Sequence, residues 1–199
     1  RDYKVTGVQT CALPIFSLKK VGMFDMSHQS ASILSIVLGS LLIVLFAQIS
    51  IPLPFSPVPI TGQTLAVLLV GSMLGSRRGA MAVLLYLMEG ALGLPVFASM
   101  KAGSHILIGP TAGYLWGFVI ASFFMGYISE NGFNKNMGFS AIYCLLGTLI
   151  ILMAGVLYLS IFRIGFSEAM MIGFYPFILG GIIKSIICAG LITGAKKLQ

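Results

Sequence analysis

Charge is what this chain has least of. Only 9% of its 199 residues are charged, five acidic and twelve basic, where soluble domains carry about 25%. A soluble fold has no use for a composition that is 58% hydrophobic with a mean hydropathy of +1.02. An all-α integral membrane protein is expected. The missing signatures narrow the function. No G-x-x-x-x-G-K-[ST] run is present, so the chain binds no ATP by that route, and neither H-E-x-x-H nor G-x-S-x-G occurs. His28 and His105 are isolated, and four of the five acidic residues fall in tails or loops. No nucleophile–base set can be assembled, so an enzyme is not expected. Cys11, Cys144 and Cys188 lack metal-ligand spacing and read as small hydrophobes, leaving no metal site and no cofactor. The net charge of +7 forms no basic stripe, which argues against nucleic acid.

What is there is a series of apolar runs. A spanning helix needs about 20 mostly apolar residues. Six candidates occur, at about 31–50, 61–75, 79–94, 109–128, 138–162 and 174–194. With the N-terminus inside, Lys19, Lys20, Arg77, Arg78, Lys135, Lys196 and Lys197 lie on the inner side, against Lys101 and Arg163 outside. That bias supports six transmembrane helices with both termini cytoplasmic. Residues 1–22 are set aside. "VTGVQTCALPI", Val5 to Ile15, looks like an in-frame translation of a sequencing-adapter oligonucleotide, so 1–22 is expected to be a non-native leader and 23–199 the membrane domain, starting at Met23 or Met26. A short amphipathic or targeting leader is the competing reading.

Between the first two spans, four of the eight prolines crowd into "IPLPFSPVPIT": Pro52, Pro54, Pro57 and Pro59. Proline removes a backbone donor and pushes the preceding residue toward extended conformations, so the strip cannot be helix and makes poor sheet. It is also too apolar for an ordinary solvent loop. A stiff flap packed over the outer helix ends is expected, with a plain interhelical connector as the blander account. Segment 95–110 is a second outer segment, rich in small residues, ending in Gly109-Pro110-Thr111 at a helix start.

Glu89 and Lys184 are the ionisable side chains that fall within spans, where charge is expensive and marks a cavity or a pair. Lys184 lies eight residues past Pro176, about 12 Å along a helix and too deep for a simple anchor. Gly181 shares its helix face at a spacing of three and opens room beside the ammonium. Tyr86 and Glu89 are likewise three apart, and Thr61 and Gln63 open the second span. This set converges on the outer half of the bundle and suits a small amphipathic organic anion. Ala31, Ser35 and Gly39 recur every four residues on the first span. Small-xxx-small lets a helix approach closely, either inside the bundle or on a partner.

The strip "IPLPFSPVPIT", followed by "LGSRRG", "GLPVF" and "GPTAGYL", resembles the BioY family, over about residues 31–194. Its members are biotin-specific substrate-binding S components of energy-coupling-factor (ECF) transporters in the prokaryotic cytoplasmic membrane. The resemblance implies an S-component-like six-helix bundle and an outer biotin pocket under the loop between helices 1 and 2. It implies docking through helix 1, at Ala31, Ser35 and Gly39, to a transmembrane coupling subunit that carries two ATPase subunits. ATP is then used only by those partners. The family's last helix typically reads P-x-x-x-G-D-x-x-K. Pro176, Gly180 and Lys184 match, but Gly181 stands where Asp is expected. Either Glu89 supplies the carboxylate, or the pocket is altered, or the codon carries a one-base error. An S component for another vitamin, a stand-alone carrier and a membrane scaffold are the alternatives.

Overall fold

The computed structural model describes residues 28–132, 136–161 and 165–197. The set-aside leader with Cys11, Lys19 and Lys20, and the loop residues Lys135 and Arg163, lie outside them. Seven helices follow in order: α1 (His28–Gln48), α2 (Gln63–Leu74), α3 (Ser76–Ala91), α4 (Ala112–Glu130), α5 (Met137–Ile161), α6 (Phe166–Gly173) and α7 (Tyr175–Lys197). A two-residue hairpin, β1 (Ser50–Ile51) and β2 (Ile60–Thr61), joins α1 to α2, pairing Ser50 with Thr61 and Ile51 with Ile60.

Among the described residues, four stretches are long and apolar enough to cross a membrane: Gln29–Gln48, Ala112–Glu130, Met137–Ile161 and Tyr175–Ala195. The other two expected spans, 61–75 and 79–94, are the shorter helices α2 and α3. All six apolar runs are helical, but α2 has 12 residues and α3 has 16, about 18 and 24 Å against a hydrocarbon core of about 30 Å. Gly75 cuts them short. Its φ of +86° belongs to the left-handed region that favours glycine, and the chain reverses there in one residue. Helix α6 is an element the sequence reading left in a loop. Its eight residues are too few for a span, and Ala169 is buried.

Helix α4 is central and packs on α2, α3 and α5. It reaches α5 through small residues: a Cβ on Gly117 would lie 3.0 Å from that of Ala154. This close approach is how helices associate where water supplies no drive. Large apolar side chains remain exposed on the outer faces, among them Leu41 and Leu45 on α1 and Leu179, Ile183 and Ile187 on α7. Those faces suit lipid. Cys144 and Cys188 are buried and free.

The end of α4 caps the start of α3. Glu130 accepts hydrogen bonds from the Ser76 amide (2.8 Å) and the Ser76 hydroxyl (2.9 Å). A carboxylate at a helix N-terminus satisfies an orphan donor and opposes the macrodipole. Glu130→Ala is therefore expected to cost about 1–2 kcal/mol, seen as a lower melting temperature in detergent. An unchanged melting temperature would remove the cap from the stability of the fold.

Candidate ligand-binding site

The proline strip forms little sheet, as its sequence dictates, and pairs only at its two ends. Its tip folds over instead. The Ser56 hydroxyl donates to the Ile172 carbonyl of α6 (2.8 Å) and accepts from the Val58 amide (3.2 Å). Val58 is buried, while Pro52, Pro54 and Pro57 are exposed and Pro59 is half-buried. Beneath lies a cavity of about 700 Å³, its open mouth included. Val58, Pro59 and Thr61 line it from the strip, Thr111 from just before α4, Tyr114, Leu115 and Phe118 from α4, Ile151 and Leu152 from α5, and Phe177 and Lys184 from α7.

Lys184 reaches in from the third turn of α7. Its Nζ donates to the main-chain carbonyl of Thr61 at 2.6 Å, tying α7 to the foot of the strip. Among the described residues it has no carboxylate partner. Thr61 Oγ1 donates to Gln63 Oε1 (3.2 Å), and Gln63 Nε2 donates to the Tyr86 hydroxyl. Tyr86 is fully buried, edge-on to Phe97 with ring centroids 5.6 Å apart. Thr61, Gln63 and Lys184 thus line the cavity, while Tyr86 stands behind Gln63 and fixes its amide.

Glu89 does not join them. Its Oε2 accepts from the Ser40 hydroxyl of α1 at 2.7 Å, and it lines neither this cavity nor its annex. The idea that it replaces the expected Asp is corrected: three residues beyond Tyr86, α3 has turned toward α1. Gly181 borders an annex of about 280 Å³, together with Thr148, Phe177, Gly180 and Lys184. A Cβ on Gly181 would lie 2.9 Å from Thr148 Cγ2, and the Thr148 hydroxyl is held by that of Ser185 at 2.9 Å.

The small residues of α1 sit partly within the bundle. Ser35 is buried, and its hydroxyl donates to the Ser32 carbonyl (2.7 Å). A Cβ on Gly39 would lie 3.0 Å from both Ala82 Cβ and Leu74 Cδ1. Gly39 thus packs on α2 and α3, and Ala31 is half-buried.

Several lining residues escaped the sequence reading. Phe177 was within reach of it, because seven residues before Lys184 is the same helix face. Lys101 was not. It lines the cavity from a turn closed by the Phe97 amide on the Lys101 carbonyl (3.0 Å), with Ser99 and Met100 at φ of 60° and 58°. No sequence pattern signals two adjacent left-handed residues that are not glycine.

The same fold occurs in the crystal structure of the S component for biotin from an ECF-type ABC transporter, with a TM-score of 0.77 at 23% identity over 86% of this chain and 95% of that one. The chain belongs to the BioY family, which it matches over residues 14–199, a family of membrane transporters and not of enzymes. It is 39% identical to a biotin transporter of Thermotoga maritima, over 79% of this chain and 91% of that protein. It is 35% identical to one of Rhizobium etli, over 79% and 88%.

Proposed function

We propose that this chain is the biotin-binding S component of an ECF-type transporter and holds biotin in the cavity beneath the proline strip. It spans the membrane with both ends cytoplasmic, α2 and α3 completing the six passes within the protein interior. A transmembrane coupling subunit and two ATPase subunits supply the energy. The observation that carries this reading is the charge pattern of the cavity. Two lysines, Lys101 and Lys184, line it with no acidic side chain, amid Phe97, Tyr114, Phe118 and Phe177. Biotin is a compact apolar bicycle with a ureido group at one end and a carboxylate tail at the other. The aromatic wall suits the bicycle, Thr61 and Gln63 suit the ureido group, and an ammonium suits the tail.

The test is calorimetric titration of the purified protein with biotin and with its methyl ester. Tight binding of biotin is expected, with the uncharged ester at least about tenfold weaker, the worth of a charge-assisted hydrogen bond. Equal affinities would remove the lysines from carboxylate recognition. Absence of biotin binding would leave the fold and family in place and turn the ligand toward another small vitamin. Uptake by cells lacking the ATPase partners would favour a stand-alone carrier.

A further inference from the structure

The wall that carries Lys101 is held in an unfavourable shape, and the residue that holds it lies outside the cavity. Ser99 and Met100 both sit in the left-handed region, which side-chain-bearing residues rarely adopt. Such backbone persists only where its surroundings over-determine it. Beside the Phe97–Lys101 hydrogen bond and the packing of Phe97 on Tyr86, one side chain reaches the turn from α1. Gln48, the last residue of α1, accepts the Met100 amide on Oε1 at 3.2 Å. Its Nε2 lies 3.3 Å from the Val44 carbonyl, 3.4 Å from that of Val96 and 3.5 Å from that of Phe97. Only one orientation of the amide turns its two N–H donors toward the three carbonyls, which share them, and its acceptor toward the Met100 N–H. A second tie comes from the next strand, where the Ser50 hydroxyl meets that of Ser99 at 2.9 Å.

We infer that Gln48 is a positioning residue for the ligand cavity: it fixes the strained turn 97–101 and through it sets Phe97, Ala98 and Lys101 against the ligand. The inference rests on the cavity being the biotin site. It adds that this wall and the proline strip are anchored at one place, the junction of α1 and β1. Gln48 holds the wall, and two residues later Ser50 belongs to the strip's hairpin while touching Ser99. A displacement of β1 that lifts the strip therefore also frees the turn, so the two covers open together.

The experiment combines hydrogen exchange over residues 96–102 in the ligand-free protein with biotin titration. It uses the intact chain and its Gln48→Ala, Gln48→Glu and Gln48→Ala/Met100→Gly variants. Gln48→Ala is expected to accelerate exchange in the turn and to weaken biotin by about tenfold, mainly through faster dissociation. Gln48→Glu keeps the acceptor for Met100 but loses the donors, and falls between. Glycine tolerates positive φ, so Met100→Gly added to Gln48→Ala is expected to restore a large part of the lost affinity. A general loss of packing would not be repaired that way, and the melting temperatures of the variants identify one. Unchanged exchange in Gln48→Ala overturns the inference, as does loss of affinity that Met100→Gly leaves untouched. If the parent chain binds no biotin, the ligand reading fails, and the exchange data alone then decide whether Gln48 holds the turn.

Discussion

Lys184→Ala is expected to weaken biotin binding by at least about tenfold, as a hydrogen bond from a charged donor is worth roughly 1.5–3 kcal/mol. The loss has two sources. The ammonium is removed from the cavity, and the Thr61 carbonyl loses the partner that ties the strip to α7. Lys184→Met separates the charge from the stem, since it keeps most of the apolar length. If both variants bind alike, the charge is what counts. If Lys184→Met retains most of the affinity, the side chain acts as packing. A dissociation constant unchanged in Lys184→Ala would take the residue out of the site altogether. The ammonium needs no buried acid to hold it in place, because a main-chain oxygen at 2.6 Å does so.

The second large effect lies in the packing that shapes the cavity. A side chain at Gly155 would enter the ring of Tyr114. Tyr114 lines the cavity and donates to the Gly173 carbonyl at 2.7 Å, which joins α4 to the end of α6. Gly155→Leu must expel that ring. Overpacking costs about 1–3 kcal/mol and a broken buried hydrogen bond about as much again. Together these are a large share of the roughly 5–15 kcal/mol by which domains are stable. A steep fall in melting temperature with loss of biotin binding is expected. Gly138→Leu, on the same helix, is the control: a Cβ there meets nothing within 4 Å. Should Gly155→Leu melt with the control, the α4–α5 contact does not have the tightness described.

The parts legible in sequence were those written in run length and in polarity against an apolar background. The runs behind α1, α4, α5 and α7 exceed what a buried soluble helix needs, and their ends were found within a few residues. Lys184, Thr61 and Gln63 stood out because polar groups in such runs must serve something. Length failed where a single backbone angle intervened. The "LGSRRG" stretch shows a glycine at 75, but nothing in it says that the helices on either side are only 12 and 16 residues long. The small-residue stripe of α1 announced a close approach without naming the partner, which proved to be α2 and α3. Glu89 was misplaced because a spacing of three from Tyr86 leaves a rotation of about 60°, enough to turn it from the cavity toward Ser40. The strained turn was out of reach, since its residues would be unremarkable in any helix or strand.

The loops over the cavity are fastened in an asymmetric way. Lys184 grips the carbonyl of Thr61, Ser56 that of Ile172, Tyr114 that of Gly173, Tyr158 that of Ile108 and Trp116 that of Leu107. In every case a side chain holds a main-chain oxygen, which any amino acid provides. Ile172, Ile108 and Leu107 can therefore drift in sequence without loosening their ties, whereas Thr61 is also held by its hydroxyl and Gly173 by the nearness of Tyr114; each gripping position is confined to a few residue types. The cover's identity is inherited through its donors, and its surface is left free to diversify.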